Sequence, residues 1–108
     1  MAGTFEIFKD KGGKHCFRLK AGNGETILSS QSYASRGGCK NGIESVRKNA
    51  KRREAVEEKA GRGGKHYFVL KAANGQVIGT SQQYASPAAC RTGCKLVARH
   101  APKARVVE

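Results

Sequence analysis

The chain has 108 residues, one domain's worth, and 38% apolar content with 14 glycines beside it, the make-up of an ordinary globular protein. No run approaches the roughly 18 consecutive apolar residues of a membrane-spanning helix, and the start MAGTFEIF lacks the basic-then-apolar order of a secretory leader, so the cytosol is the expected compartment. Against 8 acidic residues stand 21 lysines and arginines, giving +13 and a pI near 10.1, the balance of a protein that meets polyanions.

The excess is even along the chain. Residues 1–54 carry 12 basic and 5 acidic residues (+7), and residues 55–108 carry 9 and 3 (+6), so no tail accounts for it. The first predicted element is a strand over Thr4–Lys9, where Phe5 and Ile7 alternate with Glu6 and Phe8. Asp10-Lys11-Gly12-Gly13 is turn chemistry. A second strand follows over about Lys14–Ala21, with Phe17, Leu19 and Ala21 on a buried face and Cys16, Arg18 and Lys20 on a wet one. Asn23-Gly24 signals a hairpin into a third strand, Glu25 to about Ser30. A two-residue loop would set Leu19 opposite Leu28. A longer loop with a glycine bulge would set it opposite Ile27, and this register is favoured, with Ile27 as the core residue.

Ser35 is placed to cap a helix whose apolar stripe is Cys39, Ile43, Val46 and Ala50. The stretch then starts again. Gly12–Ser35 (GGKHCFRLKAGNGETILSSQSYAS) recurs as Gly63–Ser86 (GGKHYFVLKAANGQVIGTSQQYAS) at an offset of 51 without a gap. Such self-similarity means two copies of one structural unit. A weak strand over Glu54–Lys59 precedes the second copy, which repeats strand Lys65–Ala72, turn Asn74-Gly75, strand Gln76 to about Ser81, and a helix from Pro87 to about His100. That helix carries Cys90, Cys94, Val97 and Ala101 as its stripe. Gly42 and Gly93 recur inside the helices and predict a close approach of helix and sheet there, since glycine otherwise costs a helix about 1 kcal/mol. Val106-Val107-Glu108 echoes Ala55-Val56-Glu57 and predicts a short closing strand. A unit of about fifty residues buries too little to stand alone, so the copies are expected to share one core.

These two runs resemble the tandem-repeat signature of the YegP-like family of uncharacterised proteins, across nearly the whole chain. The resemblance implies an α+β fold of two tandem β(3)-α repeats, about 4–52 and about 54–103 with a closing strand at 104–108. They would form one mainly antiparallel sheet with two helices on one face, pseudo-twofold symmetry and swapped C-terminal strands. It further implies a monomer, because single-repeat relatives would be expected to dimerise. Arg36-Gly37-Gly38 departs from the pattern seen as Pro87-Ala88-Ala89, which puts the first turn of the first helix in question. The family supplies no activity and no catalytic residue.

Candidate chemistry is therefore read from the residues. Cys90 and Cys94 stand one helical turn apart and could face one metal with Cys39 and Cys16, but no CxxC knuckle is present and cysteine is a common small core residue, so no metal or cofactor is assigned. His15 and His66 are read as strand-end residues without a nucleophile at a telling spacing, and no catalytic residue is assigned. Tyr33 and Tyr84, in the repeated S-Q-x-Y segment, are read as packing anchors, with a shared groove as the alternative.

The basic residues carry the functional expectation. Arg47, Lys48, Lys51, Arg52 and Arg53 cluster at the end of the first helix, and Arg99, Lys103 and Arg105 at the end of the second, more than the helix dipole alone accounts for. Arg18, Lys20, Tyr67 and Lys71 are expected on the open sheet face, where an aromatic among cations suits stacked bases and phosphates. The ribonucleoprotein submotif and the Walker glycine-rich loop are both absent. The expectation is a small non-enzymatic basic module contacting nucleic acid or another polyanion with low specificity. The alternative is a protein-interaction or stress-associated accessory using the exposed sheet face.

Overall fold

The computed structural model describes residues 3–108, apart from the Arg53 side chain. Nine main elements follow in order: β1 (Thr4–Lys9), β2 (His15–Lys20), β3 (Thr26–Ser29), α1 (Arg36–Asn49), β4 (Val56–Ala60), β5 (His66–Lys71), β6 (Val77–Thr80), α2 (Pro87–His100) and β7 (Arg105–Val107). Among the described residues, the strands make one seven-stranded sheet in the order β4-β5-β6-β3-β2-β1-β7, and both helices lie on one face of it. The sidedness follows from alternation. Phe5, Ile7, Phe17 and Leu19 from the first repeat and Phe68 and Leu70 from the second turn toward the helices and are buried with Ile43, Val46 and Val97.

Local chemistry fixes the corners. Asp10 Oδ1 accepts from the backbone N–H groups of Gly12 and Lys14 and closes the first hairpin. In the second, Asn23 Oδ1 accepts from Glu25 N while Gly24 takes φ +86°, and Asn74, Gln76 and Gly75 repeat the arrangement. Ser35 Oγ accepts from Gly38 N at 3.0 Å and Ser86 Oγ from Ala89 N at 3.1 Å, so both helices carry the expected cap. With that cap, α1 begins at Arg36 despite its two glycines.

The repeats meet at β3 and β6, where Ser29 pairs with Thr80 across the pseudodyad. The strand after α1 crosses into the second repeat: β4 pairs antiparallel with β5, Val56 opposite Leu70, in the register by which β1 pairs with β2, Phe5 opposite Leu19. The strand after α2 crosses back. Its place beside β2 is held by β1, so β7 lies outside β1 and parallel to it, with Phe5 opposite Val106.

The hairpin register differs from the expectation. The loop is the longer one, with Ala21 N donating to Glu25 O, and Lys20 faces Thr26. A bulge at Ile27 then shifts the ladder so that Leu19 faces Leu28. Ile27 and Leu28 both become buried, so the choice between them as core residues falls away. In the second repeat Gly79 holds the place of Leu28. A Cβ there would come within 2.8 Å of Leu28 Cδ2, so one leucine fills the space at the dyad for both repeats.

The helix glycines are explained by the tyrosines. A Cβ on Gly42 would lie 2.7 Å from Tyr33 Cζ, and one on Gly93 would lie 2.5 Å from Tyr84 Cζ, closer still to each hydroxyl. The close approach is thus first a phenol against a helix backbone, where helix against sheet was expected, although the Phe17 ring of β2 also lies 3.0 Å from that Cβ on Gly42.

Candidate functional site

The candidate polyanion contacts whose side chains the structure describes fall into two groups. Arg18, Lys20, Tyr67 and Lys71 stand on the face away from the helices, where most of the cations are committed to partners. Glu6 takes Arg18 Nε and Lys20 Nζ, each at 3.2 Å, and the Arg18 guanidinium lies 4.1 Å from the centre of the Phe8 ring. Glu57 takes Lys71 Nζ at 2.5 Å, and Lys71 holds the carboxyl below the usual carboxylate range. The Glu6–Lys20 and Glu57–Lys71 pairs occupy equivalent places in the two repeats, a cross-strand pairing that stabilises the sheet.

The helix-end residues divide in the same way. Arg47 donates to Ala104 O at 2.7 Å, pairs with Glu44 at 3.0 Å, and lies 5.6 Å from the Phe5 ring centre. It ties α1 to the segment entering β7. Arg52 donates to Asn49 Oδ1 and pairs with Glu54 at 3.3 Å. Lys48, Lys51, Arg99, Lys103 and Arg105 are exposed and form no ion pair among the described residues. The side chain of Arg53 lies outside the described residues.

Two of these residues meet cations that the sequence reading passed over. Lys51 and Arg52, where the chain leaves α1, line a groove of about 280 Å³ together with Arg91 and Lys95 of α2. Its floor is Ala50, Val56, Cys94 and Ala98, and Glu58 of β4 enters it, 4.0 Å from Arg91. Arg91 and Lys95 are a helical turn apart, on the exposed side of α2, and that spacing could have exposed them.

The groove exists because of side-chain truncation. At the equivalent places in the first repeat stand Phe5 for Val56, Ile7 for Glu58, Ile43 for Cys94 and Arg47 for Ala98. Phe5, Ile7 and Ile43 are buried and Arg47 covers Phe5, so the first repeat is filled where the second is hollow.

The remaining candidates are structural. Tyr33 stacks on Phe17 and Tyr84 on Phe68, with ring centres 6.2 and 6.5 Å apart, as packing anchors do. Both hydroxyls are buried and form no well-aligned hydrogen bond among the described residues, and burial, partly offset by Gln31 beside Tyr33 and Gln82 beside Tyr84, raises both phenol pKa values. The repeated serine replaces a ladder acceptor: Ser30 Oγ accepts from Phe17 N and donates to Gln31 O, and Ser81 does the same with Phe68 and Gln82. His15 and His66 pair through the backbone with Tyr33 and Tyr84 at the strand ends.

Cys16 is on the face opposite Phe17 yet buried, with its sulfur 3.5 Å from Ser32 Oγ and near Asp10. Burial pushes the thiols of Cys39 and Cys90 up, and that of Cys94, with Cys90 and Glu58 adding to burial, up to about 12. At neutral pH they stay protonated and poorly nucleophilic. Among the described residues, no three His, Cys, Asp or Glu side chains converge as metal ligands would, and no helix is long and apolar enough to cross a membrane.

A family model described as a domain of unknown function, DUF1508, matches residues 10–57 and 62–108. Each match runs from the hairpin through the strand after the helix. The chain is 54% identical over all its residues to a "UPF0339 protein in ptx operon 5'region" of Stutzerimonas stutzeri, covering 97% of that protein. It is 50% identical over 93 residues to "UPF0339 protein YegP" of Escherichia coli strain K12, covering 86% of this chain and 84% of that one. The solution structure of the E. coli YegP protein, described as of unknown function, superposes with a TM-score of 0.93 at 46% identity, over 99% of this chain and 92% of that one. That of a UPF0339 protein from Shewanella oneidensis gives 0.92 at 42% identity, over 99% and 91%.

Proposed function

The chain belongs to the DUF1508 family, whose members compared above are described without an activity, and on that premise we propose that it is a small non-enzymatic module that binds polyanions, nucleic acid first among them, with low sequence specificity. The convergence of Lys51, Arg52, Arg91 and Lys95 on one open groove carries this reading. The four come from the exit of one repeat's helix and the middle of the other's, so only the folded tandem gathers them. Lys48 lies one turn back from Lys51 and Arg52 and extends the charge along α1. Phosphate oxygens are the natural partners of such a rim, and neutralising them releases condensed counterions. The outer sheet face suits the role less well: Glu6 and Glu57 take all three of its candidate cations, whereas in the groove Arg52 and Arg91 have acidic partners but Lys51 and Lys95 form no ion pair among the described residues.

Fluorescence anisotropy with labelled single- and double-stranded oligonucleotides, at about 50 and about 200 mM salt, tests it. Binding should appear at low salt and fall by an order of magnitude or more at high salt. No binding at low salt would end the proposal.

A further inference from the structure

We propose that the groove between α2 and β4 takes one nucleotide of a single strand, its base on the floor, its phosphate on the cationic rim, and Glu58 reading an amino group of the base. This rests on the polyanion reading of the same groove and names the ligand more closely. The first repeat shows what the space accommodates. There an aromatic ring, Phe5, lies beneath a planar cation, Arg47. In the second repeat Val56 and Ala98 stand at those places, and the space of ring and guanidinium is left open. Its size, about 280 Å³, is at the small end of ligand pockets and suits one base better than a large cofactor.

The floor is suitably apolar. Cys94 is half-buried there and its thiol stays protonated, so it behaves as a soft, polarizable hydrophobe against a π-face. Lys51 and Lys95 are exposed and form no ion pair among the described residues, which leaves their ammonium groups for phosphate. Glu58 is the group that polyanion binding alone does not explain. A carboxylate in a phosphate site repels its ligand unless it accepts hydrogen bonds from it, and Arg91, 4.0 Å away, holds it only loosely. Cytosine, adenine and guanine each offer an amino group to such an acceptor. Thymine offers one N–H flanked by carbonyl oxygens, which a carboxylate disfavours. A duplex keeps its bases in the stack, so the ligand is a single strand.

The test uses the full chain and labelled dC, dA and dT octamers, a hairpin duplex, and a glutamate octapeptide as an acidic peptide of the same length. The dC and dA octamers should bind at least about fivefold tighter than dT, and Glu58→Gln should remove most of that difference. Val56→Phe, which restores the ring of the other repeat, should weaken single-strand binding severalfold and leave duplex binding unchanged, with the amide spectrum showing the fold intact. Equal affinity for the three octamers, no effect of Val56→Phe, or a glutamate peptide that binds as well as dC would overturn the nucleotide assignment while leaving salt-dependent polyanion binding standing. Loss of all oligonucleotide binding would overturn both readings.

Discussion

Leu28 and Gly79 hold the same position in the two repeats, and only one of them carries a side chain. The dyad runs between their strands, so a residue there meets its own counterpart, and the space admits a large group once. The other great difference lies away from the dyad, where Phe5, Ile7, Ile43 and Arg47 in one repeat face Val56, Glu58, Cys94 and Ala98 in the other. In the first case asymmetry completes the core. In the second it leaves a groove, rimmed by cations and unfilled by the chain itself. Asymmetry near a pseudodyad is thus readily explained by packing, whereas asymmetry that opens space calls for something to occupy it.

Substitutions that erase these differences test the comparison. The largest effect is expected at the dyad. Gly79→Leu should cost about 3 kcal/mol through overpacking against Leu28, and adding Leu28→Gly should recover much of it, because the pair merely exchanges places; urea unfolding measures both. Next comes the helix glycine. In a free helix Gly42→Ala would gain about 1 kcal/mol, but here the methyl group meets Tyr33, so a net loss of about 1–2 kcal/mol is expected. Gly93→Ala should lose as much against Tyr84. Tyr33→Phe removes a buried hydroxyl that forms no well-aligned hydrogen bond among the described residues, so stability should hold or rise by up to about 1 kcal/mol. The phenylalanine should also soften the Gly42→Ala loss, since the two sites touch.

Smaller still, Ser35→Ala should cost about 1 kcal/mol, and more than Ser86→Ala, because Pro87 pre-sets the first turn of α2 while Arg36-Gly37-Gly38 gives α1 no such help. The mildest contrast is in acid. Asp10 is held below the usual carboxylate range by Ser32 and the turn amides, and Glu108 by Arg36 and Lys40. A carboxyl lowered in the folded state stabilises above its unfolded pKa, about 4, and that stability is lost as pH falls through the folded value. Both groups are exposed, so the effect is small. Gly61 stands where Asp10 does, so Asp10→Asn should flatten the acid limb of the stability curve with no equivalent in the second repeat.

Much of this architecture could be read from the residues. The offset of 51 gave the units, Asn-Gly the hairpins, the two serines the helix starts, and the alternation of Phe17 and Leu19 with Arg18 and Lys20 the two faces of the sheet. What escaped depends on distance across the fold. The bulge at Ile27 is set by the match of β3 to both neighbours, which no local pattern encodes. Cys16 has the spacing of a wet-face residue but is buried by Asp10 and Ser32, from the preceding turn and the segment after β3. Gly42 signalled a close approach of helix to sheet, but the group it meets first is the Tyr33 phenol, from the segment between β3 and α1. The rim was half visible: Lys51 and Arg52 stood out in a charge run, while Arg91 and Lys95 are separated from it by some forty residues and join it only because β4 crosses to the second repeat.

Chemical-shift mapping of the amide-labelled protein, titrated with a dC octamer at low salt, bears most directly on the place of binding. If the groove is the site, the shifts should gather at Lys51, Arg52, Glu58, Arg91, Cys94 and Lys95 and fade at high salt. Shifts centred instead on Arg18, Lys20 and Lys71 of the outer sheet face, or shifts spread evenly over both repeats, would contradict it.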